Sequence, residues 1–266
     1  MDESCDISIN TGVLDGDFMD NVDGGSSKAY DMSKQKLCVI INNEEFHPQL
    51  NLPPRKGTEN DFNYLKSVFN KLNYTTDSYT NVISHNMNNI LQRLSQRQDL
   101  VNVSAIVVII LSHGSDGIIY GVDGPVQLDR LFGYFKGDKC RGLIGKPKVF
   151  FIQACRGQKY DKGVLTDGVH SSNIEKIPIE ADFLIGYSTV PGYFSWRNGG
   201  IGSWYIQSLC QELEKYYKTH DLVQILVKVN NTVTTNFRSH TNSFSTDGMV
   251  QISSFVCMLR KSLQIV

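Results

Sequence analysis

Seven consecutive apolar residues, 105–111, are rich in Val and Ile. The run is short for a helix and carries no polar alternation, so it predicts a central strand buried on both faces. Residues 149–154 predict a second such strand, 37–41 and 183–187 two more, and 74–82 a polar β-like piece. Residues 250–259 close the chain as a strand that is apolar on both faces. Between these runs the period changes to that of helices. Thr58 with Asp61 resembles a capping box, followed inward by Phe62, Leu65, Val68, Phe69 and Leu72. Ser84 can cap a helix with Met87, Ile90, Leu91 and Leu94 inward. Ile206, Leu209, Cys210, Leu213 and Tyr217 mark a third helix. Asp221, with Gln224 as its box partner, opens a fourth through Leu222, Ile225, Leu226 and Val229. Residues 117–124 read as a hairpin and 128–135 as a short helix. Strands alternating with helices predict an α/β fold on a mostly parallel sheet. In such sheets ligands bind beyond the carboxyl ends of the strands. No internal repeat is visible.

Two stretches lack this regularity. Residues 1–33 are rich in Gly, Ser, Asn and Asp with single scattered apolar residues, and predict disorder. Residues 158–180 are polar, include Gly163, Gly168 and Pro178, and hold no sustained period. A structureless connection of that length is usually functional or disordered, and this one separates the two halves of the chain.

Composition narrows the picture. The 266 residues are 41% hydrophobic, ample for a full core. The net charge is −1, which gives no electrostatic case for nucleic acid or a membrane surface. No apolar run is long enough to cross a bilayer as a helix. Residues 1–27 carry seven acids and no Lys or Arg, the opposite of a secretory signal. The six cysteines include no Cys-x-x-Cys pair, so neither a disulfide framework nor a zinc site is expected. No metal or other cofactor is called for. Reduced thiols fit a cytoplasmic protein, with Cys38, Cys210 and Cys257 acting as small hydrophobes.

One cysteine stands apart. The segment Phe150-Phe151-Ile152-Gln153-Ala154-Cys155-Arg156-Gly157 runs from a strand into a thiol and stops at glycine. In Leu111-Ser112-His113-Gly114 the histidine lies 42 residues upstream of that cysteine, just past the other central strand. A thiol and an imidazole at neighbouring strand ends are a candidate nucleophile and base. Either alone reads as an ordinary packed Cys or a loop His. Together, with both flanking motifs intact, the chain resembles a caspase from about Leu37 to its C-terminus.

The resemblance implies a three-layer caspase-like fold, with a central, mostly parallel six-stranded sheet per protomer and helices on both faces. It implies a cysteine endopeptidase that cleaves after aspartate, with Cys155 as nucleophile, His113 as base, and the N–H groups of Gly114 and Cys155 as oxyanion hole. The Pro53 carbonyl takes the place that orients the histidine. Arg55, Gln153 and Arg197 match the pocket for the substrate carboxylate, where guanidinium forks bind both oxygens. Phe194, Ser195 and Trp196 match the platform beside which the substrate adds as a strand. Trp204 lines a site further along the peptide or is ordinary aromatic packing, and the loop 240–249 shapes a distal pocket.

Two Asp-x-x-Asp segments overlap in the acidic tail, ending at Asp20 and at Asp23 before Gly24, and Asp167 precedes Gly168. The resemblance then implies a zymogen with a propeptide 1–23, a large fragment 24–167 carrying His113 and Cys155, and a small fragment 168–266, joined through the 158–180 linker in one catalytic domain. The short tail has no room for a recruitment domain, which points to an executioner cut by an upstream initiator caspase. The closing strand implies a homodimer, a heterotetramer of two large and two small fragments once cut. Partners are protein substrates with a scissile Asp, not nucleic acid or membrane. A metacaspase- or legumain-like specificity is opposed by Arg55 and Arg197, which repel a basic side chain. A catalytically silent homologue that regulates an active partner is the remaining alternative; intact His113, Gly114, Gln153 and Cys155 argue against it.

Overall fold

The computed structural model describes residues 29–157, 181–241, 243 and 245–266. The tail sites Asp20 and Asp23, the 158–180 linker and Asp167 lie outside the described residues. In chain order the elements are β1 (Gln35–Asn42), α1 (Thr58–Lys71), β2 (Tyr74–Thr80), α2 (Ser84–Ser95) and β3 (Val103–Leu111). A small three-stranded sheet follows, β4 (Gly114–Ser115), β5 (Ile118–Gly121) and β6 (Gly124–Gln127), then α3 (Leu128–Gly133) and β7 (Lys148–Gln153). After the linker come β8 (Phe183–Tyr187), the short ribbon β9 (Arg197–Asn198) and β10 (Gly202–Ser203), α4 (Trp204–Tyr216), α5 (Leu222–Asn236) and β11 (Ser254–Cys257).

The main sheet has six strands in the order β11-β8-β7-β3-β1-β2. All neighbours are parallel except the edge pair β11–β8. Every residue of β3 is buried, which is why its sequence shows no alternation. Side chains of β1 and β3 alternate between two cores. Ile40, Val107 and Ile109 pack with α1, α4 and α5, whereas Val39, Val108 and Ile110 pack with α2 and α3. The result is three layers, helices on both faces of one sheet.

Helix starts show where local pattern and tertiary contact part. The Asp221–Gln224 capping box of α5 forms with both reciprocal bonds. The Thr58–Asp61 box does not. The N-cap of α1 is Gly57, at φ +88, and Asp61 bonds Ser203 and Gln207 instead. Ser84 is the first helical residue of α2 rather than its cap, and its N–H is received by Asp123 from the β5–β6 turn.

Three further expectations are corrected. Residues 29–33 are not loose: Tyr30 is buried, its hydroxyl donates to Asp182 at 2.7 Å, and Ala29 bridges Ser262. The closing strand spans only Ser254–Cys257, because Gln251 and Ser253 turn inward to bond Ser188 O and Asn230 Oδ1. Cys257 is exposed, whereas Cys38 and Cys210 are fully buried as expected.

Candidate active site

Leu111 of β3 pairs with Gln153 of β7, so these two central strands end side by side. His113 and Cys155 follow, each two residues past its strand end. Both line one cleft of about 420 Å³ at the carboxyl edge of the sheet, together with Pro53, Arg55, Gln153 and the 194–197 segment. A larger groove of about 620 Å³ lies between β2 and α2, but Asn, Ser, Thr and Arg93 dominate its polar lining and it holds no nucleophile–base pair.

His113 Nε2 lies 2.8 Å from the Pro53 carbonyl. A carbonyl only accepts, so Nε2 carries the proton and the neutral ring keeps its lone pair on Nδ1. Burial pushes the His113 pKa down, and the nearby Arg55 and Arg197 charges push the same way, against the Pro53 bond. Burial pushes the Cys155 thiol up, opposed by the Ser195 N–H and by the two arginines. The resting pair is therefore a thiol beside a neutral imidazole. Cys155 Sγ touches the Ser195 backbone, at 3.5 Å from its N, rather than His113. Gly114 packs against the nucleophile's own backbone, and a Cβ there would stand 3.1 Å from Cys155 O.

A depressed imidazole sets a pH prediction. Protonated His113 cannot take the thiol proton, so the acid limb of kcat/KM reports its titration. That limb is expected below the ordinary imidazole value of about 6.5. A pH profile with an Asp peptide measures it, and a limb above that value contradicts the assignment.

Arg55 is buried to 1% exposure. Its Nη1 donates to Asn43 O at 3.0 Å and Thr58 Oγ1 at 2.8 Å, and Thr58 in turn donates to Asn42. Its Nη2 has no hydrogen-bond partner among the described residues. Burial, followed by the Arg197 charge, brings its pKa down to about 9. Arg197 Nε donates to Lys56 O at 2.9 Å. Gln153 Nε2 donates to Ser195 Oγ at 2.8 Å, and the Gln153 Oε1 acceptor is buried without a hydrogen-bond partner among the described residues. Two positive groups, one of them with an unmet N–H donor, thus line one small cleft, an environment that suits an anion.

The 194–197 segment is held from behind. Trp196 N donates to Gln251 Oε1 at 2.7 Å, and Gln251 Nε2 donates to Ser188 O. Trp204 is not part of the cleft lining. It is sandwiched between Trp196 and Phe237, with centroids 5.7 and 5.4 Å away. Leu52 and Ser112 line the cleft without having been singled out. Asn43 and Gln251 hold the pocket residues through contacts that no local motif encodes, and Thr58 bonds Arg55 instead of capping its helix.

The caspase domain model matches residues 35–264. The chain belongs to the caspase family. It is 44% identical over 258 residues to a caspase-3 of Felis catus, covering 96% of this chain and 90% of that one. To a caspase-7 of Gallus gallus it is 42% identical over 244 residues, covering 88% and 79%. The crystal structure of caspase-1 from Spodoptera frugiperda superposes with a TM-score of 0.82 at 35% identity, covering 89% of this chain and 92% of that one. This caspase is of the executioner type, a cysteine endopeptidase that cleaves proteins after aspartate in apoptosis. No helix among the described residues is long and apolar enough to cross a membrane.

Proposed function

We propose that this caspase acts through Cys155 and His113, with Arg55, Gln153 and Arg197 receiving the substrate aspartate. The observation that carries the reading is Arg55, a buried guanidinium lining the cleft whose Nη2 has no partner among the described residues. An aspartate carboxylate supplies what it lacks. His113 Nδ1 takes the Cys155 proton as the sulfur bonds to the scissile carbonyl carbon. The N–H groups of Gly114 and Cys155 stabilise the oxyanion. The imidazolium then protonates the leaving amine as the C–N bond breaks, leaving a thioester. Water, deprotonated by His113, releases the new carboxylate and restores the thiol.

The substrate lies as a strand along Phe194, Ser195 and Trp196, whose positions are fixed by Gln153 and Gln251. Asp23 and Asp167 are the processing sites, cut by an initiator caspase. The edge strand β11 pairs with its copy to make a homodimer, because an unpaired apolar edge is a liability. Every cysteine among the described residues is unpaired, which fits a reducing cytoplasmic setting.

N-terminal sequencing of the processed protein tests the fragment assignment. The expected starts are Gly24 and Gly168. A small fragment starting elsewhere rejects Asp167 as the cut.

A further inference from the structure

Asp61 on α1 is 0% exposed, a carboxylate with no route to water. Both its oxygens accept from Ser203 N, at 2.9 and 3.0 Å; it also accepts from Ser203 Oγ and, at 2.8 Å, from Gln207 Nε2. Ser203 is the ladder partner of Arg197 in the β9–β10 ribbon. The tie therefore runs from α1, whose first turn follows Arg55, to the residue facing Arg197.

The contact is close along its length. Gly202 sits at φ +116, and a Cβ there would collide with Asp61 Oδ1. A Cβ on Gly57 would come within 2.7 Å of Asn198 O, and Asn60 Nδ2 donates to Gly200 O at 3.1 Å. The ribbon carrying Arg197 is thus seated on the start of α1, with Asp61 as its only buried anion in these contacts.

Charge points the same way. The Arg197 charge disfavours protonation of Arg55, and Asp61 is the leading carboxylate that offsets burial on both arginines. Burial raises the Asp61 pKa, while Ser203, Gln207 and Arg55 stabilise its ionised form. Asp61 precedes the linker and Ser203 follows it, so the tie joins the two halves of the chain.

We propose that Asp61 is a positioning residue for substrate specificity: it registers Arg197 against Arg55 so that both guanidiniums meet a carboxylate of aspartate length. This rests on the reading that Arg55 and Arg197 receive the substrate carboxylate. Asp61 touches no substrate; it acts through Ser203. Asparagine at this position keeps the volume but turns one acceptor into a donor, so the Ser203 and Gln207 donors lose one of the two oxygens they share. The ribbon then slips, and a longer carboxylate is penalised less.

The test is Asp61→Asn in the full processed protein, with kcat and KM measured separately on matched peptides carrying Asp or Glu at the scissile position. KM for the Asp peptide is expected to rise about tenfold with kcat little changed, and the Asp-over-Glu ratio of kcat/KM to fall about tenfold. Leu65→Ala, on the same helix and fully buried, lowers thermal stability and is expected to leave the ratio unchanged. An unchanged ratio in Asp61→Asn, or an equal shift in Leu65→Ala, overturns the proposal. Arg55→Ala separates the two layers. If it loses Asp selectivity and Asp61→Asn does not, only this inference fails; if it keeps Asp selectivity, the pocket reading fails. Should Asp61→Asn not fold, Ser203→Ala removes one bond of the tie, and the expected ratio falls about threefold; no fall overturns the proposal.

Discussion

Arg55→Ala lowers kcat/KM for an Asp peptide by about a thousandfold, about 4 kcal/mol at 1.36 kcal/mol per tenfold. The size follows from burial. Arg55 is held by Asn43 O and Thr58 Oγ1 at its Nη1, and its buried Nη2 has no hydrogen-bond partner among the described residues. Removing it leaves the substrate carboxylate without its most deeply buried partner, and a buried charge stripped of a partner costs several kcal/mol. Arg55→Lys is expected to recover little. One ammonium cannot serve Asn43, Thr58 and a carboxylate in the planar fork geometry. Because Arg55 also helps hold the Cys155 thiol down, its loss slows alkylation by a small neutral reagent. That effect is far smaller than the loss on an Asp peptide. Steady-state kinetics on Asp and Asn peptides, beside alkylation rates, distinguishes a lost pocket from a damaged nucleophile.

Cys155→Ala removes peptide hydrolysis by about a millionfold, the scale seen when a covalent catalyst loses its nucleophile. No neighbour replaces it. Ser112 lines the cleft, but its hydroxyl donates to Tyr120 O at 2.6 Å. Ser195 Oγ is occupied by Gln153. The fold is expected to persist, because Cys155 Sγ contacts only the Ser195 backbone among its hydrogen-bonding partners. Thermal melting checks that, and progress curves with an Asp peptide check the activity.

The contrast between Cys155 and Asp61 shows what the sequence makes legible. Cys155 and His113 announce themselves because each ends a long apolar run, and strand ends of a parallel sheet are where chemistry collects. β3 and β7 are legible for the same reason: burial on both faces leaves the apolar runs 105–111 and 149–152 within them. The α5 cap is legible because both partners of its box are local. Asp61 has the same three-residue spacing from Thr58 that Gln224 has from Asp221, yet its partner lies 142 residues away. Local pattern carries no information about that competition. Gln251 is hidden likewise, a polar residue in an apolar stretch whose partners are Trp196 N and Ser188 O. It is also why the closing strand is shorter than its composition suggests. Residues 29–33 read as loose because one Tyr and one Met rarely anchor a segment; the Asp182 carboxylate, shared with Arg260, supplies the missing contact. Trp204 stacks between Trp196 and Phe237, a pairing across 33 residues of sequence that local pattern does not announce.

The central claim is that Cys155 attacks a carbonyl whose aspartate side chain is held by Arg55. Intact-mass spectrometry after incubation with an electrophilic Asp peptide, beside its Asn analogue, tests it most directly. The account predicts one adduct per chain, located on Cys155, formed rapidly with the Asp reagent, slowly with the Asn reagent, and not at all in Cys155→Ala. An adduct that persists in Cys155→Ala, or equal rates with the two reagents, would contradict it.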